Sequence, residues 1–411
     1  MVYFMFFARA ILSILHIPLI ILVAFLIFYK NKKLFLFLVA IVVAICAIGE
    51  FRQYLYRKDN NIIATSQAAY GFAYENGYSS SDLSPYYVEN EFNHLAKLDE
   101  PATFTISDPL KMPILDGAEA AYPVYSAFAN ACYEDIADIQ SKAKYASSYG
   151  ANMEGISYPQ LVMRRPPIQF SNTVYAYEKL IDGKVDIVFG AKPSESQIQM
   201  ANDYGKKVIL TPIGKEGFVF FVNEENSINE LSSEQIRAIY SGEITNWNQV
   251  GGDDKSILAY QRPENSGSQT MMEYFMGNTP LKAPLRIEYK DSMRGVINEV
   301  AAYDNGNDSI GYSFRYFASI MVEESSDENG SSLNHESGGI KFLAVDGVYP
   351  DEETIRSGEY PLSTELYAIT VIDKYSPSGT YKKDTIEPFL EWMTGPQGQQ
   401  IVGDTGYVAL K

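Results

Sequence analysis

The sequence predicts an α/β architecture in two lobes that follows an N-terminal transmembrane helical hairpin, and three observations carry that prediction. Two apolar runs open the chain. From about residue 106, short β-branched or apolar runs alternate with windows of helical periodicity, the pattern of a sheet covered by helices. The roughly 300 residues that carry this alternation are enough for two cores.

Composition narrows the function. The chain has 411 residues with 33 Lys+Arg against 51 Asp+Glu, a formal net charge of −18. An acidic balance of that size argues against nucleic-acid binding, which needs a basic face. With 46% hydrophobic residues the chain builds cores and is not a disordered polymer. Two cysteines, Cys46 and Cys132, exclude a disulfide framework and a Cys-rich zinc site. His16, His94 and His335 are scattered, so neither a catalytic triad nor a His-based metal site is expected. No metal, no cofactor and no enzymatic chemistry is therefore expected.

In chain order, the first element is a hairpin over 1–50. Phe4–Tyr29 is apolar apart from Arg9 and His16, and Leu34–Gly49 is a second, shorter run. About 20 apolar residues cross a bilayer as a helix. Three lysines in the turn, Lys30, Lys32 and Lys33, place it on the cytoplasmic side and everything after Glu50 outside. The alternative for the second run is a buried helix or a signal-like segment. Cys46 follows Ile45, where a lipid-attachment motif has a small residue, so it reads as a membrane-buried thiol.

Residues 51–105 lack sustained periodicity and read as an extracytoplasmic spacer. Strands are expected at Val185–Phe189 and Lys207–Leu210. Helices are expected at Ala120–Tyr133, Thr173–Ile181, Ser233–Tyr240, Ser268–Met276 and Thr385–Met393, with Pro388 tolerable only near a first turn. Strands alternating with helices imply a mainly parallel arrangement. The acidic stretch Glu323–Gly339 reads as a solvated loop.

The sharpest chemical signal is Arg262-Pro263-Glu264-Asn265-Ser266-Gly267-Ser268-Gln269 before a helical window. Two hydroxyls, unpaired N–H groups at a helix start and a guanidinium fork together suit an oxyanion. The plainer reading makes Ser266 an N-cap and Arg262 a surface cation. Ser171-Asn172-Thr173 and the turn Asp116–Pro123 are two further helix starts, and three such N-termini facing one cleft make a preformed oxyanion site.

From about Lys111 to Lys411 these segments resemble the phosphate-binding protein family of high-affinity phosphate ABC transporters. The matching segments, in family order, include DGAEAAYPVYSAFA (116–129), GKVDIVFGAKPS (183–194), SSEQIRAIYSGEITNWNQVGG (232–252), QRPENSGSQTMMEYF (261–275), DSIGYSFRYFA (308–318) and GQQIVGDTGYVAL (398–410). The resemblance implies a two-lobed, hinge-closing periplasmic-binding-protein fold with mixed, mainly parallel sheets. The first lobe is expected over 106–213 and again from 341 to 411, and the second over 214–340.

It also implies a ligand set. Arg262, Ser266, Gly267 and Ser268 match the family's phosphate loop, with Ser in place of Thr. Thr173 stands where the family has a ligand-contacting serine, and Ala118, Glu119 and Ala120 fall on its first loop. Two departures stand out. A Ser or Thr donor is missing from the first loop, near Glu119. The aspartate that accepts the proton of hydrogen phosphate is replaced by Lys192 or Pro193. Glu119 is then either the substitute acceptor or solvent-facing, and Lys192 is a source of extra positive charge. The implied function is a membrane-tethered solute-binding protein that passes inorganic phosphate or a related oxyanion to an ABC permease. The competing reading is an extracytoplasmic sensor or adaptor on the same fold.

Overall fold

The computed structural model describes residues 82–148, 166–285, 288, 293–301, 308–321, 339–374 and 383–410, all within one unit, Ile63–Lys411. The hairpin over 1–50, the spacer up to residue 81 and nearly all of the acidic stretch lie outside the described residues. Among the described residues no helix is long and apolar enough to cross a membrane.

The first lobe opens with β1 (Leu115–Gly117), which passes through a 3-10 turn, Glu119–Ala121, into α1 (Tyr122–Cys132). Pro123 sits in the first turn of α1, where its missing N–H has no helical partner to lose. After α2 (Ile136–Ser148) come α3 (Asn172–Ile181), β2 (Ile187–Gly190) and α4 (Glu195–Asp203). Ser194 and Gln197 form a reciprocal capping box that sets the start of α4.

The 18-residue strand β3 (Lys206–Asn223) then carries the chain between lobes. The second lobe contains β4 (Glu230–Leu231), α5 (Ser233–Ser241), β5 (Leu258–Ala259), α6 (Gly267–Met276), α7 (Met293–Ala301) and β6 (Ser309–Phe314). It continues through β7 (Ile340–Phe342), β8 (Ala344–Val345) and α8 (Glu352–Ser357). The chain returns along β9 (Ser363–Asp373) and ends in α9 (Lys383–Thr394) and α10 (Pro396–Thr405).

Sheet order is β1-β2-β9-β3-β6-β5, with β7 also on β3. Residues Lys206–Gly217 of β3 pair with β9, and Phe218–Val222 pair with β6, so one strand belongs to both lobes. From Glu216 to Asn223 every residue of β3 is buried, and Phe218–Val222 within it is the unbroken apolar run of a strand covered on both faces.

Two expectations are corrected and two are extended. The sheets are mixed but not mainly parallel: among the described strands only β1–β2, β5–β6 and β4–β8 run parallel. The long pairings are antiparallel because β3 and β9 cross between the lobes in opposite directions. Secondly, the strand expected at Lys207–Leu210 continues past Pro212, where a bulge between Pro212 and Gly214 absorbs the missing N–H. Thirdly, Pro388 lies inside α9, beyond its first turn. Finally, residues 82–105, the described part of the expected spacer, pack on the first lobe. Leu83, Tyr86, Val88 and Leu95 are buried in the same core as α1, Phe104 stacks on Phe389 at 5.9 Å, and Thr103 donates from its N–H and Oγ1 to Gln397.

Candidate functional site

The first wall of the site is built at the end of β1. Asp116 is fully buried, and its Oδ1 accepts from Gly117 N and Ser171 N, both at 2.8 Å. Its Oδ2 accepts from Ser171 Oγ at 2.5 Å and Lys179 Nζ at 3.2 Å. One carboxylate thus ties the exit of β1 to the start of α3, which explains why Ser171 makes no side-chain cap for that helix. Asn172 takes a left-handed backbone (φ 66°) and its Oδ1 accepts from Thr173 N at 2.6 Å, aiming the first turn of α3. Next to it, Ala118 N donates to Phe189 O at 2.8 Å, which docks the first loop on β2.

The second wall is the N-terminus of α6. Ser266 is its N-cap and accepts from Gln269 N. Arg262 is 5% exposed, and its backbone N–H donates to Gln269 Oε1 at 3.0 Å and the Tyr312 hydroxyl at 3.2 Å. Among the described residues its Nε and Nη1 have no acceptor, and Ser268 Oγ, also buried, has no partner. A buried guanidinium with two idle donors is an expensive arrangement in an empty protein. It is the arrangement expected of a group whose partner arrives from outside.

The walls meet. A Cβ built on Gly267 would lie 3.7 Å from Thr173 Oγ1, 3.7 Å from Phe314 and 3.9 Å from the Ala191 Cβ. The starts of α3 and α6 therefore face each other at Gly267, where even an added Cβ would make only ordinary van der Waals contact. A small cavity beside this point is walled by Ala118, Ala120, Ala121, Gly190, Ala191 and Phe314, with Glu216, Glu365, Leu366 and Tyr407 completing it.

The residues at the two departures have definite surroundings. Glu119 is 5% exposed, so it does not point to solvent; Ala118, Ala120 and Ala121 around it line the cavity and Glu119 does not. Lys192 is exposed and places its ammonium 4.5 Å from the centre of the Tyr274 ring, next in sequence to Ala191 of the cavity wall.

Sequence reasoning missed three contributors. Glu216, on β3, lines the cavity with a carboxyl that burial pushes up to about 7, against the pull of the Gly217 and Tyr316 N–H groups and the Arg315 charge. Asp116 was legible only as part of a turn. Asn265, also left-handed (φ 66°), accepts through Oδ1 from Ser194 Oγ at 2.7 Å and Ser196 Oγ at 2.6 Å. With Tyr274 OH donating to Pro193 O at 2.7 Å, these bonds hold the two lobes together beside the site. Nothing local in the sequence marks a pairing between residues 71 positions apart.

A family model described as PBP superfamily domain matches residues 114–397. The phosphate-binding protein PstS of Borreliella burgdorferi is 26% identical over 207 residues, 49% of this chain and 66% of that protein. The protein of the same name from Bacillus subtilis is 24% identical over 206 residues, 49% of this chain and 58% of the relative. The chain thus spans less than two thirds of the length of either relative. The crystal structure of a putative phosphate ABC transporter substrate-binding protein with bound phosphate from Clostridium perfringens is 18% identical. It covers 75% of this chain and 100% of its own, with a TM-score of 0.47.

Proposed function

This chain belongs to the PBP superfamily, and on that premise we propose that it is a solute-binding protein that closes its two lobes on an oxyanion, inorganic phosphate first among them. The observation that carries this reading is the buried Arg262 with two unused donors beside two facing helix N-termini. Arg262, Ser266, Gly267, Ser268 and Thr173 form the anion-facing set, and Ala118 and Ala120 bring the first loop to it with Glu119 between them. Hydroxyls, backbone N–H groups and a guanidinium replace the hydration shell, so binding needs no covalent step, metal or cofactor. The relatives named PstS are phosphate-binding proteins, and the ligand is taken from that likeness.

The same reading includes a tether. Phe4–Tyr29 and Leu34–Gly49 cross the cytoplasmic membrane as a hairpin, the lobes stand on its extracytoplasmic side, and the closed form delivers its ligand to an ABC permease. The working division is a first lobe over 106–213, a second over 214–340, and a return that is complete once β9 begins. Strand β7 pairs with the part of β3 that also carries β6, which supports a boundary later than the expected residue 341.

Calorimetric titration of the full chain in mild detergent, with phosphate, sulfate and arsenate, tests the reading. Micromolar or tighter phosphate binding is expected. Binding of none of the three removes it and leaves the sensor or adaptor role.

The lobe-to-lobe bonds give a second expectation. Asn265→Gly keeps the left-handed backbone but removes the acceptor for Ser194 and Ser196. Losing two hydrogen bonds at about 0.5–1.5 kcal/mol each should speed phosphate dissociation by roughly tenfold. Stopped-flow release is the readout, and an unchanged off-rate means these bonds do not hold the closed form.

A further inference from the structure

Arg262 leaves the second-lobe sheet a few residues before α6 begins. Just past β5, Tyr260 N donates to Ile310 O at 3.0 Å and Gln261 N to Glu288 O at 2.7 Å. The next backbone N–H, that of Arg262, donates to two side chains instead, Gln269 Oε1 at 3.0 Å and the Tyr312 hydroxyl at 3.2 Å. The Tyr312 hydroxyl in turn donates to Gln269 Oε1. Three buried groups thus close a triangle under the residue that carries the guanidinium.

Each corner of the triangle is fixed by something else. Tyr312 pairs with Phe220 in the β3–β6 ladder. Its ring is packed among Phe218, Phe220 and Tyr240, with centroids 5.5, 6.2 and 5.6 Å away, so the hydroxyl is held in one place. Gln269 stands in the first turn of α6, and its backbone N–H donates to Ser266 Oγ, the N-cap of that helix. Its side-chain amide bonds the Glu273 carboxyl one turn on, which leaves the amide oxygen for Arg262 and Tyr312.

A buried N–H needs an acceptor in any fold, and a single carbonyl would serve. Two side-chain acceptors that bond each other, one of them also bonded to the N-cap, do more. Gln269 joins Arg262 and Ser266 through one side-chain oxygen and one backbone N–H, so the anion-facing cation and the helix start cannot shift independently. Binding groups have to be held to within about 0.5 Å of their productive geometry, by neighbours that are themselves locked by packing and hydrogen bonds.

Resting on the oxyanion-binding reading, we propose that Gln269 and Tyr312 are positioning residues for the anion, which act through Arg262 by holding its backbone against the start of α6. Two consequences separate this role from packing alone. Removing either group costs affinity only while the guanidinium is present, and the Arg262 amide is already held before an anion arrives.

The experiment is calorimetric titration of the full chain in mild detergent with inorganic phosphate. The proteins are the wild type, Tyr312→Phe, Gln269→Met, Arg262→Met and the two double variants with Arg262→Met, each also unfolded thermally without phosphate. Tyr312→Phe keeps the ring and its packing and should weaken binding about fivefold, whereas Gln269→Met, which removes the shared acceptor, should weaken it about twentyfold. In the Arg262→Met background either change should alter affinity by less than about twofold. Unchanged affinity in either single variant, or an equal loss in both backgrounds, overturns the proposal, whatever happens to the melting temperature. Hydrogen exchange on the wild type needs no variant to fold: the Arg262 amide should be protected before phosphate is added, and protection that appears only with phosphate overturns the proposal as well. A wild type that binds no phosphate overturns the oxyanion reading and this proposal with it, whereas phosphate binding with any of the other adverse results overturns the positioning role alone.

Discussion

Arg262→Met should weaken phosphate binding by a hundredfold or more and leave the unliganded protein at least as stable as the wild type. The two effects have one cause. The guanidinium is buried with Nε and Nη1 unpartnered, so the empty protein bears an uncompensated desolvation cost that methionine, of similar length, does not. When an anion arrives the same group becomes a charge-assisted donor in a water-poor site. Removing one partner of such a buried pair costs about 2–5 kcal/mol, some thirtyfold to several thousandfold in affinity. Titration with phosphate gives the first quantity and thermal unfolding without ligand gives the second. Unchanged affinity removes Arg262 from the site; a lowered melting temperature in the empty protein shows that the guanidinium has a structural partner there.

A large loss of stability is expected from Gly117→Ala, at about 3 kcal/mol or more. A Cβ at this position would lie 2.3 Å from Phe189 O and 3.0 Å from Phe189 N. The obstruction is backbone held in a parallel strand pair, Gly117 against Phe189, so no side-chain rotation relieves it. Separating β1 from β2 also breaks the bond from Ala118 N to Phe189 O and shifts Ala118 away from Gly190, whose own added Cβ would lie 3.5 Å from that of Ala118. Phosphate binding should fall together with stability. Gly403→Ala in α10 is the control: nothing lies within 4 Å of the added Cβ, and an alanine in a helix gains up to about 1 kcal/mol over glycine. Denaturant unfolding of both variants tests the contrast, and equal midpoints would falsify the packing argument for Gly117.

How much of this was legible varied with how local the cause was. The starts of α5 and α6 were legible because capping involves atoms within three residues of each other, whereas α4 was not expected although Ser194 and Gln197 form the same box as Ser232 and Gln235. The buried strand residues Ile187–Gly190 read directly from their apolar run. Glu216 did not, since a glutamate between Lys215 and Gly217, just past Pro212 and Gly214, has the local character of a turn. Its burial comes from strands contributed by residues 309–314 and 363–373.

By itself the sequence determined helices α1, α3, α5, α6 and α9, parts of strands β2 and β3, and that Arg262 stands just ahead of the start of α6, because periodicity and capping act over a few residues. Tertiary structure alone decided the rest. It made the long pairings antiparallel, since β9 meets β3 only after the whole second lobe has been threaded. It faced Thr173 toward Gly267, turned Lys192 onto Tyr274, joined Asn265 to Ser194 and Ser196, and buried Glu216 with one oxygen free. Each of these depends on which distant surfaces exclude water together, a property of the closed chain that no window of a few residues contains.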